Sequence, residues 1–597
     1  MPTGIPLSAE MYEHATNRHA LIPDLSSRRL SSYVALCCWL VLGMAVGLRA
    51  EDSLLKYVPE KAGLIVRLND WRTHAPKVMA SPFWERLKQN PTCRRLMETK
   101  DFQNLVKFQQ SLETAYGKSC VEFSKELSGR ELVLAVFSGE VKGTAPWGLL
   151  LTRGENALSV ARAVAAWKRT DPHSAENRVY KQISYQICTP HGAKTRSEDD
   201  LLCYVVLDDV IATSGNEAAI RRAIDIHTGV KESDKNDFQS ILTSEEFRWS
   251  LTQAGTDCPL TLYFRPPHWD KSISGLLQGK EPAGFTKTLL RNAWKNCRAV
   301  SVGVRLDQGL VADVSLHLSP EGRQWWALLP EGKPFTPTVE DLPQQAVVAA
   351  GGRIPGAVLS PILVGLFSET DSKTSNIRDA LKGLLRGLDL LRDVIPALGP
   401  EWVGGYFHGS ELTNAVRSPS QFLVKTEFTD REFAQNGRPP TTLRQSLSNA
   451  ARAGLHMHAL LDSKVQAPVT VGAESSAEGI ENLWWLQTPK DRRWCVGLTA
   501  NTLWMASDPE LVRRERSLSP ADSIGQLPAF RDSLAKYHPS GNAFLWVDLG
   551  RWKENDVRRI AQRGGKPNHW LVLEPFQTFW LTLSHDAETV KLGAGLR

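Results

Sequence analysis

The chain has 597 residues, 42% hydrophobic and 23% charged, which is too long for one ordinary core and too apolar for wholesale disorder. Its net charge of +6 is small and scattered. The densest basic runs, Arg513-Arg514-Glu515-Arg516 and Arg558-Arg559 with Arg563 and Lys566, are short and not interleaved with aromatics, so no nucleic-acid partner is expected.

The first landmark is residues 33–48, sixteen apolar or small residues without a charge, preceded by Arg28-Arg29 and followed by Leu48-Arg49-Ala50. This is the order of a secretory signal, with cleavage expected after Ala50. Sixteen residues fall short of the roughly twenty that a permanent span needs. A cleaved signal peptide and a retained N-terminal anchor both fit, and either delivers the bulk of the chain outside the cytoplasm. Membrane contact is expected only through this segment. Cys37 and Cys38 lie inside the apolar run rather than at its end, which does not support a lipoprotein anchor.

Alternating or β-branched runs then predict strands at 62–68, 131–137, 147–152, 179–188, 201–207, 210–214, 260–265, 298–306 and 310–318. Helices fit 100–115, 155–168 and 216–228, the last capped by Asn216 and ended by Gly229. Asp208-Asp209 and Ala500-Asn501 each separate two strand runs, which predicts tight hairpins with positive φ. Cys188 ends one predicted strand and Cys203 begins the next, so a Cys188–Cys203 disulfide is expected if these strands pair. In the second part the strongest helix is expected at 376–395, with an apolar stripe from Ile377 to Ile395 stopped by Pro396.

The landmarks recur in order. Phe-Arg-x-Ser-Leu occurs at Phe247 and again at Phe530, 283 residues on, and the strands ending at Trp269 and Trp552 repeat that spacing. Upstream, Ser214 matches Ser507 at a spacing of 293, Glu131-Leu132-Val133 matches Glu401-Trp402-Val403, and Pro59 and Pro343 each open a strand. The expected fold class is therefore α+β: two tandem related domains with mostly antiparallel sheet and packed helices. The expected boundaries are 1–50 for the leader, 54–330 for the first copy, 331–342 for a Pro-rich linker and 343–597 for the second copy.

The signal, the run Val58-Pro59-Glu60-Lys61-Ala62-Gly63-Leu64-Ile65-Val66-Arg67-Leu68, the triplet Ser81-Pro82-Phe83 and the late Phe-Arg-x-Ser-Leu run resemble a group of uncharacterised exported planctomycete proteins that carry a domain of unknown function. The resemblance implies export and large size, and it supplies no catalytic residues.

Chemistry-bearing motifs are missing. The sequence has no phosphate loop, no His-Glu-x-x-His and no Gly-x-Ser-x-Gly elbow. His456 and His458 diverge on the helix expected over 443–461, His227 belongs to an apolar helix face, and Glu198-Asp199-Asp200 reads as a solvated loop. Gly351-Gly352-Arg353 resembles the start of an anion-binding turn. No catalytic, metal or cofactor residue is assigned. The expected function is a non-enzymatic envelope or periplasmic protein, structural or binding. The alternatives are a secreted hydrolase with a dispersed site, and an extracytoplasmic inhibitor or sensor that binds another protein through strand edges.

Overall fold

A computed structural model describes residues 53–597 except 90–96, 99, 120–121, 124–125, 128, 139–145, 171–172, 191–201, 230–238, 256–257, 271–290, 292–293, 307–308, 327–341, 361–381, 409–420, 436–437, 462–469, 475–481, 488–491, 538–540, 563–575 and 587. The leader with its Ala50 site, most of the expected linker and the Glu198-Asp199-Asp200 loop lie outside the described residues, as does the His458 side chain.

The fold is α+β, with mostly antiparallel sheet. The N-terminal half contributes β1 (Leu64–Asn69), β2 (Glu131–Phe137), β3 (Trp147–Arg153), β4 (His173–Tyr180), β5 (Ile183–Pro190), β6 (Leu202–Leu207), β7 (Val210–Ser214), β8 (Leu260–Phe264), β9 (Cys297–Leu306) and β10 (Leu310–Leu318). The C-terminal half contributes β11 (Ala346–Arg353), β12 (Leu398–Phe407), β13 (Gln421–Phe428), a small hairpin of β14 (Glu432–Gln435) and β15 (Arg438–Thr442), then β16 (Thr470–Glu474), β17 (Asn482–Gln487), β18 (Arg492–Leu498) and β19 (Thr502–Ala506). It closes with β20 (Ala543–Asp548), β21 (Thr578–His585) and β22 (Thr589–Leu596).

Apart from the β14–β15 hairpin, these strands form one 20-stranded sheet. Its first half runs β4-β5-β6-β7-β3-β2-β1-β8-β9-β10. β10 then pairs with β22, and the order continues β22-β21-β20-β11-β12-β13-β19-β18-β17-β16. Counted outward from the β10–β22 seam, each half uses its strands in the same chain order.

The helices follow the same scheme. Helices α1 (Ala157–Thr170), α2 (Glu217–His227) and α3 (Glu245–Ala254) come after β3, β7 and just before β8; α4 (Leu443–Leu461), α5 (Pro509–Arg516) and α6 (Pro528–Tyr537) hold the corresponding places around β13, β19 and β20. Asn216 starts α2 by accepting from Ala218 N at 2.9 Å, and Asp508 starts α5 by accepting from Glu510 N at 2.9 Å. Phe247 of α3 meets Tyr263 edge-on at 5.1 Å, and Phe530 of α6 meets Trp546 edge-on at 5.5 Å. Even isolated bridges recur, as Pro59 with Ser240 and Pro343 with Ser523.

Around the seam the two faces of the sheet differ. On the face under α3 and α6, Ser301, Val311, Ser315, Trp580 and Thr582 are buried. On the other face Val302, Val304, Val314, Leu581 and Leu592 are only partly buried. Trp269 and Trp294 cover that second face over Phe264, and Trp552 covers it over Tyr406.

Several expectations change. The strand expected at 179–188 is broken at Lys181 and Gln182, whose φ values of 48° and 65° turn β4 back along β5. Asp208 adopts the expected positive φ of 54°. The matching turn in the C-terminal half is instead a longer loop in which Thr499 Oγ1 accepts from Asn501 N and Thr502 N. The long helix expected at 376–395 does not run through: Arg386 and Gly387 have φ values of 56° and 96°, and Asp389 starts a new turn over Leu390–Val394. Gly351-Gly352-Arg353 is the end of β11, paired on both sides, and no anion-binding turn.

Candidate functional site

Buried charge is the natural place to look for chemistry, because desolvating it is costly without a purpose. The deepest example is Glu131, fully buried at the start of β2. One carboxylate oxygen accepts from Ser53 Oγ and Arg67 Nε, both at 2.7 Å, and the other accepts from Leu54 N at 2.7 Å. These bonds clamp the first described residues onto β1 and β2. The matching acid, Glu401 on β12, faces Arg353 at 3.4 Å and remains partly exposed.

The most varied polar cluster lies between the edge strand β4 and the first turn of α2. Glu217 accepts from Tyr185 Oη at 2.5 Å and from Arg221 at 2.7 Å, and Arg178 donates to its second oxygen at 3.0 Å. Burial and the bond to Glu217 raise the Tyr185 phenol above its ordinary value. Burial works against ionisation of Glu217, but the bonds from Tyr185 and Arg221 hold its carboxyl below the usual range.

Such a cluster has parts that acid–base chemistry uses, yet the other half shows a different role for the position. There Glu474 on β16 and Arg513 on α5 form the corresponding strand-to-helix ion pair, with the signs of the charges reversed. Arg513 lies 5.9 Å from the Trp485 ring centroid, and Arg221 lies 5.6 Å from that of Tyr180. In both halves the ion pair and the ring clip a helix to the outermost strands.

Another buried acid, Glu515 on α5, accepts from Lys425 Nζ at 2.7 Å and from Trp504 Nε1 at 3.1 Å. At the matching positions the N-terminal half places Leu151, Ala212 and Ala223, all fully buried.

A shallow pocket beside β1 and β8, lined by Arg67, Phe247, Ser250, Thr261 and Tyr263, has room for about one water. Burial pushes the Tyr263 phenol at this pocket up to about 12.

No family model matches the chain, and no curated protein matches it. A solved structure, crystal form I of TP0453, aligns with 46% of this chain and 81% of its own at 11% identity and a TM-score of 0.24. A superposition that loose transfers neither fold nor function.

The residues singled out from sequence therefore stay apart. Cys188 lies opposite Leu202 and Cys203 opposite Ile187, so the two thiols point to opposite faces of the sheet and no disulfide joins them. They belong to separate cores, Cys203 with Ile187 and Cys188 with Tyr204. Burial pushes the Cys203 thiol up to about 11. His456 is exposed on α4, and His227 sits 3.6 Å from Asp208. Among the described residues no group of His, Cys, Asp and Glu could hold a metal ion, and no helix is long and apolar enough to cross a membrane. Sequence reading missed Glu131 and Glu515 as buried acids. The only available signal was an acid opening or interrupting an apolar pattern.

Proposed function

We propose that this chain is an exported, internally duplicated protein with a structural or binding role outside the cytoplasm, and that it does not turn over a substrate. The copies are residues 54–330 and 343–597, delivered by the apolar segment 33–48 and related to the exported planctomycete-type proteins that its landmarks resemble. The observation that carries this reading is the strand order, which runs identically outward from the β10–β22 seam in both halves.

Duplication explains why the offset between halves stays constant within an element and drifts only across loops. It also supports a non-catalytic role. What the halves share is apolar packing and helix caps, whereas their polar clusters differ in sign, depth or existence. The outer strand β4 carries Glu176 and Arg178, a charged edge that discourages strand addition and weighs against an edge-presenting inhibitor.

Two measurements test the reading. N-terminal sequencing of the extracytoplasmic protein should find either a new terminus near Glu51 or a membrane-bound chain; an intact Met1 in the cytosol would overturn export. A panel of ester, peptide and phosphate substrates should show no turnover. Turnover abolished by Glu217→Gln or Tyr185→Phe in a chain that remains folded would favour the hydrolase.

A further inference from the structure

The seam has a symmetry of its own. β10 and β22 pair antiparallel from Leu310 with Leu596 to His317 with Thr589. Val300 on β9 faces Leu316, and Phe579 on β21 faces Leu596, so Leu316 and Leu596 hold matching positions in the two halves. The same spacing matches Leu310 with Val590 and Asp313 with Gly593, and Asp313 and Gly593 face each other. The seam is thus an isologous contact in which each strand meets its own counterpart. A single half offered a second copy of itself could use the same strand in the same register.

Three positions work against that. Two N-terminal halves joined through β10 would set Asp313 against Asp313, and like charges directly opposite are unfavourable. Each carboxylate would keep its own Arg305 on β9 and would still face the other. In the actual seam Asp313 faces a residue without a side chain. A Cβ on Gly593 would lie 2.6 Å from Thr582 Oγ1. At one end of the seam Trp249 stacks on His317 at 4.7 Å and donates from Nε1 to Thr589 Oγ1 at 3.3 Å. The N-terminal position matching Thr589 is Gly309, which has no hydroxyl to accept that bond. At the other end the positions matching Trp249 and His317 are Asp532 and Arg597, which form an ion pair at 2.9 Å.

We propose that the β10–β22 seam is a partner-selecting interface: Asp313 and the Trp249–Thr589 contact make the N-terminal half pair with the C-terminal half of this sequence and disfavour its pairing with a second copy of itself. This rests on reading the halves as related copies.

The test uses the full chain, folded and then cut at a specific protease site placed within residues 331–341. Isotopically heavy and light cut chains are mixed and their pairs weighed by native mass spectrometry; a pool refolded together from denaturant serves if exchange is slow. Pairs of one N-terminal with one C-terminal half, in all isotope combinations, are expected. Asp313→Asn should raise pairs of two N-terminal halves about fivefold, and Trp249→Phe should raise them further.

Like-with-like pairs at statistical frequency in the unaltered protein, or no response to both substitutions, would overturn the selection while leaving the duplication standing. Cut halves that separate and lose their structure individually would instead count against two related units. In the uncut chain Ala312→Cys with Ala594→Cys should cross-link within one molecule. Cross-links between molecules would also overturn the proposal.

Discussion

The N-terminal and C-terminal halves use one arrangement of strands and fill it with different chemistry. Where α2 crosses β3 and β7, the N-terminal half packs Leu151, Ala212 and Ala223; where α5 crosses β13 and β19, the C-terminal half packs Lys425, Trp504 and Glu515. At the start of β2 the situation reverses. Glu131 is sealed and bonded by three donors, while Glu401 is partly open to water. A backbone scheme that tolerates an aliphatic cluster and an ion pair at one position is specified by its apolar periodicity and turn chemistry, and not by its charges.

The comparison is most exposed to failure where the halves are alike. Phe247→Ala and Phe530→Ala each remove a fully buried ring from an edge-on aromatic pair, and each should cost about 3–5 kcal/mol. Hydrogen exchange read separately over β8 and β20 is the suitable measure, because a sheet this large need not unfold in one step. A near-neutral result at one site beside a large loss at the other would break the equivalence.

Where the halves differ, the effects should differ too. Glu131→Ala removes the shared partner of Arg67, Ser53 and Leu54 at a buried position and should cost about 3–5 kcal/mol, against about 1 kcal/mol or less for Glu401→Ala. Glu515→Ala should cost about 3 kcal/mol, since it removes a buried carboxylate that bonds both Lys425 and Trp504. Replacing both partners, Lys425→Leu with Glu515→Leu, makes both positions aliphatic, as Leu151 and Ala223 are in the N-terminal half, and should recover most of that loss. Denaturant titrations with exchange over β13 and α5 would decide it, and a double variant worse than Glu515→Ala would show that the ion pair is required there.

How much of this was legible in the sequence follows the same division. The strands at 131–137 and 210–214 were readable as short apolar or β-branched runs and that at 310–318 by alternation, and α2 because its apolar stripe has helical spacing and a capped start. The recurring landmarks were readable too, with one slip: the cap residues Asn216 and Asp508 and the opposed pairs Cys203–Ser214 and Cys495–Ala506 place equivalent positions 292 residues apart, so Ser214 lines up with Ala506 and not with Ser507. Serine at both places reflects a shared hydrogen bond, to Gly148 O from Ser214 and to Phe422 O from Ser507.

Register was not readable. A one-residue difference decides whether Cys188 and Cys203 share a face, and nothing local encodes it. Peptide mapping without reductant should accordingly find both thiols alkylatable after unfolding, with no change of stability on adding reductant.

The smallest effect expected is a dependence on pH confined to one end of the seam. His317 is buried against Trp249, and burial holds its imidazole below the ordinary value. The carboxylates of Glu588 and Glu246 pull it up, while Arg298 and Arg323 push it down, so burial decides the direction. The unfolded chain then binds more protons than the folded one at and below about pH 6.5, and the seam loses stability as pH falls through that value. The opposite end holds the Arg597–Asp532 ion pair in place of the His317–Trp249 stack. Between about pH 7.5 and about pH 5.5, exchange protection should fall beside His317 and change less beside Arg597. His317→Phe keeps a ring for Trp249 to stack on and has nothing to protonate, so it should flatten the difference; a slope that survives this substitution would show that His317 is not its source.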